Sequence, residues 1–326
     1  MRYFDIPGLA RPTAAVGLGT GSYGTSVPEG QAMAMMDLYA EMGGNHLDTA
    51  HVYAAWMPDG EGASERTIGR WLAARGARAK VLVATKGAHH DIKTNVKRMT
   101  AQAIRRDLHE SLDRLGTDYV DLYWLHRDDP SVPVGDILGW LNEHLRVGLV
   151  RAIGCSNWSV ARQAEADAWA AEHRATGFCA SQIRWSLADY ALTDGEVTDM
   201  LSMDDETFAW HRRTGRAVVA YSSQACGFFS GKYGPGADPA ATGVRKDVIE
   251  RYDTPANRRR LAAAEALAAE RGCTANQVAL ACLFHQPFPV CALTGAHTLD
   301  QLRDSCAAAD VRLSPADVAR LTAASD

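Results

Sequence analysis

Four side chains of this sequence have the types and the order needed to deliver a proton to a substrate. Asp48 and Tyr53 lie close together, and Lys86 and His126 follow further along the chain. A tyrosine hydroxyl is a weak acid, with an ordinary pKa near ~10, and a neighbouring ammonium group favours its ionised form. A carboxylate can hold that ammonium group in place. An acid, a cation and an imidazole together suit protonation of a carbonyl oxygen.

Each of these residues lies just after, or at the end of, a short apolar run that is typical of a β-strand. The segments are Asp48–Thr49–Ala50–His51–Val52–Tyr53, Val83–Ala84–Thr85–Lys86, Leu125–His126–Arg127 and Gly154–Cys155–Ser156–Asn157. A helical pattern follows each segment. In a parallel α/β barrel the strand ends meet at one rim, where the active site is built. The pattern therefore predicts that these polar side chains come together at one rim.

The alternation of strand and helix patterns continues along the chain. Apolar runs predict strands at 14–20, 46–50, 80–85, 119–125, 150–156, 179–184, 217–222 and 289–294. Amphipathic stretches between them predict helices, for example at 29–43, 64–75, 101–115, 133–147, 158–173 and 256–271. This pattern predicts an α/β fold, a (β/α)8 TIM barrel, as a single domain over 1–326.

Three segments fall outside the repeat. Residues 3–16 predict a short N-terminal hairpin, and 274–286 and 314–324 predict extra C-terminal helices. The segment 222–255, rich in Gly and Pro, is predicted to be the largest loop and follows the seventh strand. Loops of this length in a compact domain are usually functional or disordered.

Composition narrows the class of protein. The chain has 326 residues, 47% of them hydrophobic, and a net charge of −5, which gives no support to nucleic-acid binding. No apolar run approaches the ~20 residues of a membrane helix, and the first residues do not resemble a signal peptide. The seven cysteines are scattered, with no Cys-x-x-Cys pair, which indicates reduced thiols. We therefore expect a cytoplasmic protein that binds neither nucleic acid nor membrane. Its oligomeric state stays open, and a monomer is one option.

The motifs, in this order and at these spacings, resemble the aldo-keto reductase family over nearly the whole chain. They are Asp48-Thr49-Ala50 with Tyr53, Thr85-Lys86, Leu125-His126, Gly154-Cys155-Ser156-Asn157, Gln182 and Tyr221-Ser222. The resemblance implies a barrel fold and an NAD(P)H-dependent oxidoreductase that converts an aldehyde or ketone into an alcohol. It implies NADP(H) as the cofactor, with NAD(H) as the alternative, and a small carbonyl compound as the substrate.

The chemistry of the four residues gives each a role in that reaction. Tyr53 would be the general acid that protonates the carbonyl oxygen. Lys86 would lower the pKa of Tyr53, and Asp48 would hold Lys86. His126 would hydrogen-bond the carbonyl and orient it, and donors placed where negative charge develops stabilise it. Ordinary structural roles stay open for each of them, such as a helix cap for Asp48.

The resemblance also assigns residues to the cofactor. Tyr221 would stack on the nicotinamide ring, while Ser156, Asn157 and Gln182 would hold its carboxamide, because hydroxyl and amide groups can give and accept hydrogen bonds. The turn after the seventh strand would bind the pyrophosphate through backbone groups. The full set of predicted cofactor residues is Thr20, Gly21, Asp48, Ser156, Asn157, Gln182, Tyr221, Ser222, Ser223, Gly227, Gly295, His297, Gln301 and Ser305.

The sequence departs from the family at the end of the eighth strand. Relatives typically carry an Arg, or a Lys-Ser pair, there to bind the 2′-phosphate of NADP, whereas this chain has His297. An imidazole is a weaker phosphate ligand than a guanidinium, which is always charged and binds in a bidentate manner. Arg303 follows on the next helix. NADP(H) is the predicted cofactor, and dual use or preference for NAD(H) stays open.

The predicted substrate pocket is aromatic with polar groups beside it. Its residues are Tyr23, Trp56, Met57, Trp124, Trp158 and Trp185, next to His126, Arg127, Asp128 and Asp129. Aromatic walls beside polar groups suit a sugar-type carbonyl, whose CH faces stack while its hydroxyls form hydrogen bonds. Other aldehydes and ketones remain open.

Three alternatives remain. The run Gly19-Thr20-Gly21-Ser22-Tyr23-Gly24 matches a dinucleotide-binding G-x-G-x-x-G, but Pro28 follows and delays the helix, which favours a barrel loop. Some family members are redox-sensing regulatory subunits of membrane channels. A metal-dependent barrel hydrolase would draw ligands from His46, His51, His89, His90 and Asp91. No His-x-His pair follows a strand, which argues against that third class, and we expect no metal.

Overall fold

The fold is a closed barrel of eight parallel strands, seen in a computed structural model that describes residues 1–193, 198–233 and 243–323. The strands are β3 (Val16–Gly19), β4 (His46–Asp48), β5 (Leu82–Gly87), β6 (Val120–Leu125), β7 (Val150–Ser156), β8 (Ala180–Arg184), β9 (Ala217–Tyr221) and β10 (Val290–Thr294). They are neighbours in chain order, and β10 pairs with β3 to close the ring. The predicted fold class is confirmed.

A two-stranded antiparallel hairpin precedes the barrel, as predicted. β1 (Tyr3–Phe4) pairs with β2 (Thr13–Ala14). Between these strands, Ile6 is buried among the apolar side chains of the barrel interior, together with Ala152. The hairpin therefore covers the end of the barrel opposite the strand ends that carry the predicted site.

Helices form a ring around the barrel, with further helices outside it. They are α1 (Glu29–Glu41), α2 (Ala63–Arg75), α3 (Ala101–Leu115), α4 (Val134–Arg146), α5 (Val160–His173), α6 (Asp205–Thr214), α7 (Lys246–Tyr252), α8 (Pro255–Arg271), α9 (Ala275–Phe284), α10 (Leu299–Ala307) and α11 (Pro315–Thr322). The helices α1 to α6 pack against one another in chain order, and α9 and α10 continue the ring back to α1.

One predicted assignment is wrong. The pattern over 274–286 was expected to lie outside the repeat, but α9 packs on the barrel, where Leu280 and Leu283 contact the strands. The helix α8, which was expected within the repeat, packs on the outer side of α9. The composition of α9 explains why it lies between the barrel and α8. A helix that is apolar on all sides is stable only when it is covered on both sides.

Three helices, α6, α7 and α10, lie outside the ranges that the apolar pattern predicted. The helix α6 has only ten residues and is mostly polar, but it begins at a favourable cap, where Asp204 accepts a hydrogen bond from the backbone of Thr207. The predicted loop 222–255 contains α7 and a short 3-10 turn at Ala225–Gly227. Residues 234–242 of that loop lie outside the described residues.

The glycine-rich run after β3 is a barrel loop, as predicted. The strand ends at Gly19, and α1 begins only at Glu29. Gly24 has a left-handed backbone (φ +75°), and its N–H donates to the carbonyl of Val27 at 2.9 Å. This local turn prevents a helix from starting beside the glycines, as a dinucleotide-binding fingerprint would require.

Two general features complete the fold. Among the described residues, no helix combines the length and the apolar character required to cross a lipid bilayer. All seven cysteines are free thiols, and four of them are buried. Burial raises the pKa of Cys155 and of Cys179 to about 12, so both thiols are protonated at neutral pH.

The barrel interior depends on a close fit between neighbouring strands β6 and β7. Trp124 is fully buried, and its ring covers Gly154 of the adjacent strand. A methyl group at Gly154 would overlap the indole ring. The glycine is therefore required by packing, since its backbone needs no left-handed conformation.

We predict that Gly154→Ala lowers the free energy of unfolding by about 1–3 kcal/mol, because the indole ring must move out of a packed core. The matched control is Gly139→Ala, in the middle of α4, where an added methyl meets no atom within 4 Å. That control should be neutral or stabilising, by up to ~1 kcal/mol. Urea unfolding measures the free energy of unfolding of both variants. Equal stability of Gly154→Ala and the wild type would contradict the described packing.

Candidate active site

The side chain of Lys86 lies at the centre of the barrel rim and uses all three of its N–H groups. Its ammonium nitrogen donates to a carboxylate oxygen of Asp48, to the carbonyl of Thr49 at 2.8 Å and to the hydroxyl of Tyr53 at 2.9 Å. The side chain is 1% exposed. A buried ammonium group is costly unless it is fully hydrogen-bonded and paired with an opposite charge, and both conditions hold here.

Asp48 connects this group to a third strand. Its second carboxylate oxygen accepts a hydrogen bond from the side-chain amide of Gln182 at 2.9 Å. Asp48 ends β4, Lys86 lies near the end of β5, and Gln182 lies on β8. Three strands that are distant in sequence thus meet at one carboxylate, as the strand-end pattern predicted.

The pKa values of Tyr53 and Lys86 differ in part from the expectation. The charge of Lys86 does favour ionised Tyr53, but burial has a larger effect and raises the pKa of the phenol above its ordinary value. Burial opposes the charge of Lys86, yet Asp48 and Tyr53 more than compensate, so the lysine pKa is also raised. In the free protein, neutral pH therefore leaves Tyr53 protonated and Lys86 charged.

His126 lies next to the ring of Tyr53. The two ring centres are 5.9 Å apart, in an edge-to-face arrangement. Burial, helped by the charge of nearby groups, holds the pKa of His126 well below its usual range. The imidazole is therefore neutral at physiological pH and can donate or accept a hydrogen bond. His89 packs edge-to-face against it, with ring centres 4.6 Å apart.

A buried carboxylate holds the loop that carries Tyr53, a feature that the sequence analysis missed. Glu65 is fully buried, accepts a hydrogen bond from the hydroxyl of Thr85 at 2.7 Å and pairs with Arg114 at 3.3 Å. Arg114 also donates to the backbone carbonyl of His51 at 3.1 Å. This chain of contacts links β5, α2 and α3 to the residues just before Tyr53. An acidic residue in the apolar pattern of α2 was the available signal.

The predicted carboxamide ligands lie at adjacent strand ends. The hydroxyl of Tyr221 donates to the side-chain oxygen of Asn157 at 2.8 Å, and the amide of Asn157 contacts Ser156 at 3.1 Å. Asn157 has a left-handed backbone (φ 60°), which turns its side chain at the strand end. Ser156 and Gln182 are paired in the register of β7 and β8. The structure thus brings Ser156, Asn157, Gln182 and Tyr221 together.

Thr20 and Gly21 lie beside the catalytic candidates. The hydroxyl of Thr20 donates to the backbone carbonyl of Asp48 at 2.9 Å, so this side chain supports the end of β4. Gly21 faces the ring of Tyr53, where an added methyl would lie 3.7 Å from the ring. Gly21 therefore lies at the wall of the site next to β3, whereas Thr20 is fully buried.

The turn after β9 has an unusual backbone. Ser222, Ala225, Cys226 and Gly227 all have positive φ angles, between 47° and 90°. The hydroxyl of Ser223 donates to the backbone carbonyl of Leu293 at 2.7 Å, which fastens the turn to β10. Ser222, Ser223 and Gly227 therefore share one compact turn next to Tyr221.

The remaining cofactor candidates follow β10. Gln224 connects them to the turn, because its amide accepts from the backbone of Gly295 at 3.1 Å and donates to Ser305 at 3.0 Å. The backbone N–H of His297 donates to the side chain of Gln301 at 2.7 Å, and the ring of His297 is exposed. The structure thus brings Gly295, His297, Gln301 and Ser305 to one edge of the rim. The bridging role of Gln224 was not predicted.

The predicted substrate pocket is only partly assembled. Tyr23, Trp124 and Trp158 are each at most 1% exposed. Tyr23 and Trp158 pack between barrel and helices, and Trp124 fills the barrel interior, so none of the three lines an open pocket. Trp56 is 60% exposed, with its ring 6.4 Å from that of Tyr53.

Only some of the predicted polar pocket residues beside His126 lie near the site. Arg127 is half-buried near the site and pairs with Asp199 at 3.4 Å. Asp128 pairs with Arg162, and Asp129 bonds Ser131, so both carboxylates are engaged away from Tyr53. Met57 is exposed to solvent. Trp185 packs on phenylalanine rings outside the barrel.

A family model described as the aldo/keto reductase family matches residues 15–326. The chain belongs to the aldo/keto reductase family. The resemblance inferred from the strand-end motifs is thereby confirmed.

Curated relatives of this aldo/keto reductase are similar over most of their length. The chain is 30% identical to Protein tas of Escherichia coli strain K12, over 99% of this chain and 97% of that protein. It is 31% identical to the uncharacterized oxidoreductase YrpG of Bacillus subtilis strain 168, over 91% and 87%. It is 29% identical to norsolorinic acid reductase stcV of Emericella nidulans, over 88% and 70%. The family and these relatives support an oxidoreductase that reduces carbonyl groups.

A solved structure shows the same fold. The thermostable aldo-keto reductase Tm1743, solved in complex with the inhibitor epalrestat, matches this aldo/keto reductase with a TM-score of 0.73. The match covers 99% of this chain and 100% of that chain at 24% sequence identity. At this identity the likeness supports the barrel fold and carries no statement about ligands.

The histidines considered as metal ligands have other partners in this aldo/keto reductase. His46 bonds Thr13 at 2.8 Å, His51 bonds Glu110 at 2.6 Å, and Asp91 accepts hydrogen bonds from its own loop. His89 bonds the backbone carbonyl of His90 at 2.7 Å. Within the described ranges, no three His, Cys, Asp or Glu side chains form a group that could hold a metal ion.

The contact between Lys86 and Tyr53 generates a titration prediction. In Lys86→Met, the pKa of Tyr53 should rise further, because burial remains and the opposing cation is lost. Ultraviolet absorbance titration checks this result, with the matching Tyr53→Phe variant of each protein subtracted to isolate one phenol. The same titration is repeated in the double variant Lys86→Met with Asp48→Asn, in which no buried carboxylate is left without its partner. An unchanged Tyr53 titration in Lys86→Met would show that the lysine does not act on the phenol.

Proposed function

We propose that this aldo/keto reductase reduces an aldehyde or ketone to the alcohol with NADPH, and that Tyr53 is the general acid. The observation that carries the proposal is the three-way bonding of Lys86, which holds the Tyr53 hydroxyl at 2.9 Å beside a neutral His126. This arrangement offers two uncharged hydrogen-bond donors to one carbonyl oxygen. It suits a substrate whose oxygen gains negative charge during the reaction.

The residues at the rim fit a nicotinamide dinucleotide. Asn157, Ser156 and Gln182 supply amide and hydroxyl groups that match a carboxamide, and the half-buried ring of Tyr221 is available for stacking. When bound, the dinucleotide supplies the hydride, which no side chain can provide. Asp48 and Gln182 would keep Lys86 and the carboxamide ligands in fixed positions relative to each other.

Proton delivery follows from the same contacts. Tyr53 donates its proton to the carbonyl oxygen, and the ammonium of Lys86 stabilises the phenolate that remains. His126 donates a hydrogen bond to the same oxygen and orients the carbonyl. Because protonated Tyr53 is the working form, the rate of reduction should be constant through neutral pH and fall as pH rises through the raised pKa.

The side chains near Tyr53 bear on the class of substrate. The exposed ring of Trp56 lies beside Tyr53, His89 packs on His126, and the charge of Arg127 acts on Tyr53. These neighbours favour a polar carbonyl compound such as a sugar-type aldehyde. One relative is named for norsolorinic acid, so the substrate panel should contain aromatic ketones as well as aldoses. The loss of absorbance from NADPH or NADH reports turnover for each. A protein that only senses redox state would bind the cofactor and turn over none of them.

Tyr53→Phe should lower the rate of carbonyl reduction by ~10²–10⁴-fold, because the proton donor is removed. The dissociation constant of NADPH should change little, since the hydroxyl meets the substrate. The matched control is Tyr3→Phe, a half-exposed tyrosine in the N-terminal hairpin, which should keep full activity. Steady-state kinetics and NADPH fluorescence measure the two effects. A Tyr53→Phe enzyme that retains more than about a tenth of wild-type turnover would contradict the assignment of Tyr53 as the general acid.

The exposed position of His297 generates a prediction about cofactor choice. If His297 faces the 2′-phosphate, His297→Arg should tighten NADPH binding about 10- to 100-fold through a charged hydrogen bond. NADH affinity should stay the same, because NADH lacks that phosphate. His109→Arg, on the exposed face of α3, is the control for added surface charge. Dissociation constants for both cofactors decide the question, and an unchanged ratio would place the 2′-phosphate elsewhere.

A further inference from the structure

One buried cation at the rim has no role in the proposed reaction. Arg184 is the last residue of β8, two positions after Gln182, so both side chains lie on the same face of the strand. That face points into the mouth of the barrel, where Gln182 contacts Asp48. Arg184 is 6% exposed. The family motifs did not include it, although its spacing from Gln182 predicts an inward position.

The guanidinium of Arg184 has no acidic partner within the described part of the chain. It stacks on the ring of Tyr190 at 3.7 Å, and one of its nitrogens contacts the sulfur of Met200 at 3.8 Å. Its other terminal nitrogen is buried without a hydrogen-bond acceptor among those residues. Arg260 provides a comparison, since it is equally buried but pairs with Asp189 at 2.6 Å.

A buried charge without a partner is unfavourable. The desolvation of an ion costs several kcal/mol, and only an opposite charge and complete hydrogen bonding compensate for it. Stacking on Tyr190 offsets part of this cost. A guanidinium held in this way presents free donors in a planar fork that matches phosphate and carboxylate groups. No acidic side chain of the described residues fills that place, which favours an anionic ligand that enters the mouth of the barrel.

The neighbours of Arg184 indicate where that anion lies. Arg184 pairs in register with Tyr221, and its guanidinium lies 5.9 Å from the centre of that ring. Its charge also acts on Cys226, where it opposes the raising of the thiol pKa by burial. The guanidinium thus faces the turn Ser222–Gly227, whose backbone bends through several left-handed residues. Arg127, by contrast, is already paired with Asp199.

We propose that Arg184 is an anion-binding residue whose ligand is the diphosphate of the nicotinamide dinucleotide, held between β8 and the turn Ser222–Gly227. This inference rests on the nicotinamide-dependent function proposed above. The diphosphate is common to NADH and NADPH, so Arg184 contributes to the binding of both cofactors and does not distinguish between them. A carboxylate on the substrate is the other possible source of the same chemistry.

The test compares binding of graded ligands to Arg184→Gln, Arg184→Lys and the wild type. The ligands are NADPH, NADH, reduced nicotinamide mononucleotide, which has one phosphate, and reduced nicotinamide riboside, which has none. Arg184→Gln should weaken both dinucleotides about 10- to 100-fold by the same factor, and leave the riboside unchanged. Arg184→Lys should recover part of the affinity. Fluorescence of the reduced nicotinamide gives the dissociation constants.

Stability of the free protein provides a second readout. Because no described residue supplies a counter-charge to Arg184, Arg184→Gln should unfold at the same or a higher urea concentration than the wild type, whereas a purely structural arginine would give a loss. The control is Arg216→Gln, at the opposite end of the barrel. Arg216 also stacks on an aromatic ring, Trp210, but is paired with Asp167. This control should lose stability and keep its cofactor affinity.

The outcomes separate the two proposals. Dinucleotide affinities of Arg184→Gln within about twofold of wild type, with unchanged KM values for carboxylate-bearing and neutral carbonyl substrates, would overturn the anion site. Unchanged affinities with a raised KM for the carboxylate-bearing substrates alone would support the anion site and assign it to the substrate, which overturns the diphosphate. A wild-type protein that binds no nicotinamide dinucleotide would overturn the proposed function itself.

Discussion

The buried ammonium group of Lys86 imposes the constraint on which the rim depends. A charge that is almost completely removed from water must be neutralised and fully hydrogen-bonded, and Asp48, Tyr53 and the carbonyl of Thr49 meet this need. These partners come from strands β4 and β5 and from the loop that follows β4, so the barrel must close accurately before the charge can be buried. The position of the Tyr53 hydroxyl is consequently set by the same interaction that satisfies the lysine.

The same contacts show why the pKa of the phenol cannot be inferred from one neighbour. The cation favours the phenolate, but removal from water disfavours every charged form, and burial dominates at Tyr53. His126 illustrates the opposite sign, because burial of a base keeps it neutral. The site therefore combines a protonated phenol, a neutral imidazole and a charged lysine at one pH. Three titratable groups with separate environments can hold three different protonation states side by side.

Much of the fold and the rim could be predicted from the sequence because period and order carry the information. Near-continuous apolar runs mark strands that are buried on both faces, and polar residues at their ends mark the rim. The exchange of α8 and α9 could not be predicted, since it depends on which helix is covered on both sides. Tyr23 and Trp158 were placed in the pocket because aromatic side chains serve equally well in walls and in cores. Arg184 was missed because its lack of an acidic partner among the described residues is visible only in three dimensions.

Gln224 couples two segments at the cofactor edge of the rim, so that neither can be replaced independently. Its single amide joins the segment after β9 to Gly295 and to the fully buried Ser305, so two segments that are far apart in sequence share one set of hydrogen bonds. Replacing either segment by its counterpart from another protein would remove a partner from the other. We therefore expect a chimaera built from one of the two segments to need a compatible residue at position 224. We expect a recombination breakpoint between the two segments to cost more stability than one before or after both.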